Sequence, residues 1–145
     1  MSLYAALIFI VIVAAPPIIW GLVHHLYHYR YIHGVYARQD AARDWRSQFP
    51  DAMPAVDRVL TDFCEAFLLK VRYKYHLRPD DRIMEIYKNT TGPIADEMQL
   101  ETLSISIESS FEVDIAEQLN EDTTLADLVD AVLTKTSSPT EGCTS

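Results

Sequence analysis

An uncharged apolar run covers residues 3–23 and reads LYAALIFIVIVAAPPIIWGLV. A helix of about 21 residues rises about 30 Å, which is the thickness of the hydrocarbon core of a bilayer. Pro16 and Pro17 lie inside the run, and membrane helices tolerate internal proline better than water-exposed helices do. The run therefore predicts a transmembrane anchor over residues 1–28.

The residues on either side of the apolar run predict whether it is retained and how it is oriented. No Lys or Arg precedes the run, and two prolines directly follow its small residues, which is a poor context for signal-peptide cleavage. The four arginines of residues 1–50 all follow it. Because positive charge favours the cytoplasmic side, we expect a single-pass protein of the inner (cytoplasmic) membrane with a cytoplasmic C-terminal domain.

Aromatic and histidine side chains alternate directly after the run, in HHLYHYRYIHGVY. Amphipathic rings interleaved with Arg are typical of a membrane–water interface. The residues predicted to lie there are Trp20, Tyr27, Tyr29, Arg30 and Tyr31. His24 and His28 are four residues apart and would share a helix face, as metal ligands can. No Cys or carboxylate accompanies them, so a metal or haem site that uses His24, His25, His28 or His33 is kept as an alternative.

The remaining sequence divides into a linker, a helical domain and a tail. Residues 29–53 are polar and end in the proline-containing FPDAMP, so they are predicted to form a juxtamembrane stalk or linker. Residues 54–134 are long enough for one small core. Residues 135–145 are rich in Ser and Thr and are predicted to be disordered.

Apolar residues recur at spacings of three and four in the domain, which predicts helices. The first helix begins at Pro54 and ends near His76; the last has a capping box formed by Thr124 and Asp127. The predicted core residues are Val56, Val59, Leu60, Phe63, Phe67, Val71, Ile83, Ile86, Tyr87, Met98, Leu103, Ile107, Phe111, Val113, Ile115, Leu125, Leu128, Val129 and Val132. The predicted fold class is all-α: an N-terminal transmembrane helix plus a small helical bundle with three main helices and a short one.

The net charge of −9 is concentrated in the C-terminal half of the chain. Residues 93–133 contain eleven acidic residues and no Lys or Arg. Such a segment is a poor ligand for nucleic acid, whose binding requires positive charge, and it suits basic protein surfaces. The two cysteines, Cys64 in a helical pattern and Cys143 in the tail, do not form a disulfide framework.

The stretches ADEMQLETLSISIESSFEVDI and TTLADLVDAV resemble the second and last helices of acyl carrier proteins. The resemblance covers about residues 54–133 and implies that Asp96, Glu97 and Met98 replace the family's Asp-Ser-Leu. Glu97 then stands where the serine would carry 4′-phosphopantetheine, and a carboxylate cannot be modified in that way. A negative charge there still stabilises the first turn of the helix, which Asp96 would cap.

The resemblance also implies an acidic recognition helix that docks on a basic partner surface. Its predicted members are Glu101, Glu108, Glu112 and Asp114.

The sequence therefore predicts a non-catalytic, membrane-anchored protein-interaction module without a cofactor. Its predicted partners are the lipid bilayer and a protein with a basic surface, and not nucleic acid. No Ser-His-Asp set, Gly-rich phosphate loop or Cys-His pair indicates an enzyme. Two alternatives stay open: a genuine membrane-tethered acyl carrier with an atypical attachment site, and a histidine-based metal or haem protein.

Overall fold

The computed structural model describes residues 3–91 and 98–137. Within these two ranges the chain is helical and contains no β-strand, which confirms the all-α part of the predicted fold class. An isolated β-bridge joins Arg82 to Thr124 and ties the start of one helix to the start of another.

Six α-helices and two 3₁₀ helices follow one another along the described residues. The α-helices are α1 (Leu3–Tyr36), α2 (Ala42–Gln48), α3 (Met53–Ala66), α4 (Ile83–Thr91), α5 (Met98–Phe111) and α6 (Leu125–Ser137). The 3₁₀ helices cover Val71–His76 and Ala116–Gln118. Helix α3 packs against α5, α6, α2 and the first 3₁₀ helix, so it lies at the centre of the bundle.

The structure corrects the predicted membrane anchor. Among the helices of the described residues, none combines the length and the apolar character that crossing a membrane requires. Within helix α1, histidines, tyrosines and Arg30 follow the apolar run of residues 3–23. The predictions of a transmembrane helix, a single-pass topology and an inner-membrane location are therefore wrong on this finding.

The segment predicted to be a stalk, residues 29–53, packs into the bundle. Val35, Ala41 and Trp45 belong to the buried core cluster, and Trp45 is completely shielded from solvent. The Trp45 indole N–H also donates a hydrogen bond to the backbone oxygen of Leu77 at 2.8 Å. The packed core of the structure therefore begins before Pro54.

Helix α3 is shorter than the periodicity predicts, because the chain leaves the helix after Phe67. Leu68 has a φ of 56°, in the left-handed region. The Leu69 N–H donates to the backbone oxygen of Cys64 at 2.7 Å, and the Leu68 N–H donates to the backbone oxygen of Glu65 at 3.2 Å. This pair of hydrogen bonds is the Schellman motif. Residues Val71–His76 then form a 3₁₀ helix instead of continuing α3.

Most of the predicted core is buried as expected, and the capping box at α6 is present. The Asp127 N–H donates to the Thr124 hydroxyl at 3.1 Å, and the Thr124 N–H donates to the Asp127 carboxylate at 2.9 Å. Met98 is the clear exception in the core, because 59% of it is exposed at the start of α5. Phe111 and Val71 are only partly buried.

Candidate functional site

Helix α5 presents Glu101 and Glu108 to solvent while Leu103 and Ile107 are held against the core. Leu103 and Ile107, four residues apart, are fully buried, and α5 packs mainly on α3. Glu101 and Glu108 are exposed and lie seven residues, or about two turns, apart. Both carboxylates therefore stand on one solvent-facing side of the helix.

The chain reverses directly after α5 and brings another carboxylate beside it. Glu112 has a φ of 59°, which ends the helix, and Val113 and Ile115 are buried and hold the following segment on the core. The Asp114 carboxylate accepts a hydrogen bond from the Ala116 N–H at 2.9 Å, at the start of the 3₁₀ helix Ala116–Gln118.

A groove of about 480 Å³ lies between α5 and this 3₁₀ helix. Its carboxylates are Glu101, Glu108 and Asp114, and its large apolar residues are Leu100, Ile105 and Leu119. Ile105 is 58% exposed, so the groove presents apolar surface beside its carboxylates. We call this feature the acidic groove.

The carboxylates of the acidic groove are not engaged in ion pairs among the residues that the structure describes. None of Glu101, Glu108 and Asp114 forms an ion pair there. Lys135 approaches, but its ammonium donates to the backbone oxygen of Asp114 at 2.5 Å. The groove therefore offers negative charge that is free to pair with a partner's cations.

The structure places three of the four predicted acidic residues in one groove and leaves the fourth outside its lining. Glu112 is exposed at the end of α5 but does not line the groove. Leu119 completes the apolar floor and was missed by the sequence analysis. It follows a short polar 3₁₀ segment, where no helical periodicity marks it.

The predicted cap and attachment position fall only partly within the described residues. Asp96 and Glu97 lie outside them, and Met98 is the first residue of α5. The arrangement of Asp96 and Glu97 at the helix N-terminus stays a prediction from the sequence.

The residues predicted for a membrane interface have different environments in the structure. Trp20, Tyr27, Tyr29 and Arg30 are exposed. Tyr31 is half-buried, and this burial raises the pKa of its hydroxyl to about 12, with a further contribution from Glu85 and Asp81.

The histidines of α1 do not form a metal site with other ligands in the part of the chain that is described. The described residues contain no group of three His, Cys, Asp or Glu side chains placed to hold a metal ion. His28 instead forms a 3.1 Å hydrogen bond between its Nδ1 and the backbone oxygen of Asn89, which links α1 to α4. The side chain of His24 lies outside the described set.

Cys64 is a buried thiol in the last turn of α3. Burial raises its pKa to about 12, so the nucleophilic thiolate is scarce near neutral pH. Cys64 therefore acts as a small apolar core residue.

Neither a protein-family model, nor a curated protein, nor a solved structure matches this chain. The functional assignment therefore relies on the geometry and charge of the described residues, together with the resemblance in the sequence.

Proposed function

We propose that the helical domain is a non-catalytic protein-interaction module that resembles an acyl carrier protein and binds a basic amphipathic segment of a partner. The observation that carries the proposal is the acidic groove, where Glu101, Glu108 and Asp114 surround the exposed Ile105 and two partly buried leucines without an ion pair among the described residues. Charge of one sign around an apolar floor suits a helix with Lys or Arg beside its apolar face.

The charge distribution supports a basic partner. Residues 93–133 contain eleven acidic residues and no Lys or Arg, so the field around the groove attracts cations over a longer range than contact. The apolar floor of Leu100, Ile105 and Leu119 then supplies area that is removed from water on binding. Steering by charge and burial of apolar area together define the partner's chemistry.

The resemblance to acyl carrier proteins supports a binding role over a chemical one. The described residues of this domain form α3, the 3₁₀ helix Val71–His76, α4, α5, a second 3₁₀ helix and α6, which is two elements more than the three main helices and a short one of the resemblance. The resemblance implies that Glu97 stands at the position of the modified serine, where its carboxylate cannot accept the prosthetic group. The domain would keep the docking helix of the family and lack its cargo.

Charge reversal in the groove tests this function. The probe is a synthetic helical peptide with Leu on one face and Lys on the flanks, labelled for fluorescence anisotropy. We expect Glu101→Lys with Glu108→Lys to weaken binding about 30-fold or more, because like charges would then face each other across the interface.

The matched control reverses two exposed carboxylates on elements that do not line the groove, Asp51→Lys with Asp130→Lys. It changes the net charge equally and should weaken binding less than about 3-fold. Equal losses in both double variants would show that the peptide responds to net charge alone, and the proposed groove would be rejected.

A further inference from the structure

A second groove, of about 600 Å³, lies between α1 and the segment that contains the first 3₁₀ helix. Helix α1 contributes His25, Tyr29 and His33 to its lining, and the facing segment contributes Lys70 and Arg72. We call this feature the basic groove. It shares no residue with the acidic groove.

Tyr36 of α1 contacts the segment that carries the two cations of the basic groove. The rings of Tyr36 and Tyr73 stack with their centroids 4.4 Å apart. The Lys70 backbone N–H donates to the Tyr36 hydroxyl at 2.9 Å, and the Arg72 guanidinium carbon lies 4.8 Å from the centroid of the Tyr73 ring. Helix α1 therefore contacts the backbone at Lys70 directly and Arg72 through the ring of Tyr73.

The basic groove is positively charged in a chain whose net charge is −9. No carboxylate lines it, and within the described residues neither Lys70 nor Arg72 forms an ion pair. Other cations of the same region are neutralised: Lys74 pairs with Asp57 at 2.7 Å and Arg38 with Asp81 at 2.8 Å. Lys70 and Arg72 are thus left to bind an anion from outside the described residues.

Leu68 forms an apolar edge of the basic groove at a conformational cost. Its φ of 56° is unfavourable for a leucine, and its side chain is 85% exposed. Helices that end in this conformation usually place Gly or Asn there. A strained backbone that holds a large apolar side chain in solvent beside a groove is typical of a functional position.

The apolar surface continues from the basic groove along α1. Its exposed large apolar side chains lie on all sides of the helix: Ile12, Val13, Ile18, Ile19, Trp20, Leu22, Val23, Leu26, Tyr27 and Tyr29. An exposed apolar surface of this extent marks a contact with an apolar ligand or partner.

We propose that the basic groove binds an anionic amphiphile with a phosphate head group. Lys70 and Arg72 pair with the phosphate, for which the planar guanidinium is well suited. Leu68, Tyr29 and the exposed apolar surface of α1 hold the hydrocarbon chain. Two sources present this chemistry, a single phospholipid molecule free in solution and a phospholipid at a bilayer surface.

Titration calorimetry on the full chain separates these sources. The probes are dihexanoyl phosphatidic acid below its micelle concentration, dihexanoyl phosphatidylcholine, inorganic phosphate, and vesicles of phosphatidylcholine with or without phosphatidic acid. Binding of the short-chain acid supports a single lipid as ligand, and binding of the acidic vesicles alone supports the bilayer source. No binding of either, or inorganic phosphate binding as tightly as the lipid, would overturn the proposal.

Charge removal gives the matched pair of variants. Lys70→Ala with Arg72→Ala should weaken binding of the lipid about 10- to 30-fold, because each cation near a phosphate contributes about a factor of five. Arg43→Ala with Arg46→Ala removes the same charge from exposed positions of α2 outside the groove and should change binding less than about 2-fold. Equal losses in both variants would contradict a defined site.

Leu68→Gly separates binding from stability. Glycine adopts the left-handed conformation without strain, so the variant should unfold at a higher temperature than the native chain. Loss of the leucine side chain should at the same time weaken lipid binding roughly 3- to 10-fold. A variant that is more stable and binds as tightly as the native chain would show that Leu68 does not contact the ligand.

Discussion

Single residues end two helices of this chain in conformations that their side chains do not favour. Leu68 and Glu112 have φ values of 56° and 59°; Leu68 stands two residues after the end of α3, and Glu112 directly follows α5. Each terminus brings charged groups to a groove: Lys70 and Arg72 follow Leu68, and Asp114 follows Glu112. The two unfavourable residues therefore position both proposed binding surfaces.

The cost of the left-handed conformation at Leu68 is measurable as stability. We expect Leu68→Gly to raise the free energy of unfolding by about 0.5–1 kcal/mol, since relief of backbone strain exceeds the entropy that glycine adds to the unfolded chain. Ile105→Gly, at an exposed position inside α5, should lower it by about 1 kcal/mol. Urea unfolding measures both; a loss of stability in Leu68→Gly would contradict the assigned strain.

Elements in this bundle are joined by polar contacts between segments that are far apart in the sequence. The segment after α1 lies alongside the 3₁₀ helix Val71–His76. The Ala41 N–H donates to the backbone oxygen of Tyr75 at 2.7 Å, and Nδ1 of His76 lies 2.6 Å from the backbone oxygen of Arg38. On the other side of the 3₁₀ helix, Asp57 of α3 pairs with Lys74 and accepts a hydrogen bond from the Tyr75 hydroxyl at 2.7 Å.

The contact between Asp57 and the 3₁₀ helix makes part of the stability depend on pH. Hydrogen bonds from Lys74 and then Tyr75 lower the pKa of Asp57 below its usual range. A carboxyl group with a lowered pKa in the folded state stabilises the fold above its unfolded pKa, and this stability is lost as the pH falls through its folded value.

We expect the free energy of unfolding to fall as the pH drops below about 4. Asp57→Asn should reduce this pH-dependent loss of unfolding free energy. The reduction should be less than about 1 kcal/mol, because the carboxylate is partly exposed and screened. Urea unfolding at pH 7, 4 and 3 measures it, with Asp51→Asn, an exposed carboxylate, as the control. An identical pH profile in native chain and Asp57→Asn would contradict the role of the contact.

On the scale of the whole molecule, one core includes residues from α1 to α6. Val35 of α1 and Trp45 of α2 are buried in the same cluster as Phe63 of α3, Ile107 of α5 and Val129 of α6. The two grooves lie on the outside of this core and carry charge of opposite sign.

Trp45 tests whether the segment before α3 is part of one cooperative unit. Trp45→Ala removes a fully buried ring and its hydrogen bond to Leu77, so we expect the free energy of unfolding to fall by about 3–5 kcal/mol. Trp20→Ala, which removes an exposed ring from α1, should cost less than about 1 kcal/mol. A loss below about 1 kcal/mol in Trp45→Ala would show that residues 42–48 are only loosely attached.

The sequence by itself determined the helical class, most of the core and the sign of the charge on α5. Apolar residues at spacings of three and four, such as Val56, Leu60 and Phe63, are buried as their periodicity requires. The capping box of Thr124 and Asp127 is a local contact and was predictable for that reason. Glu101 and Glu108 were also predictable, because residues seven apart share a helix face.

Only the tertiary structure decided where α3 ends, how residues 29–53 pack and which side chains meet in the grooves. Leu68 carries no local signal for a helix end, since neither Gly nor Pro stands there. The position of the helix end is determined by the burial of Leu69 and by the hydrogen bond from the Lys70 backbone N–H to the Tyr36 hydroxyl. The same holds for α1: its apolar run predicts a membrane span, but no helix of the described residues is long and apolar enough to form one. Contacts between residues such as Tyr36 and Tyr73 are set by long-range packing, which local periodicity does not encode.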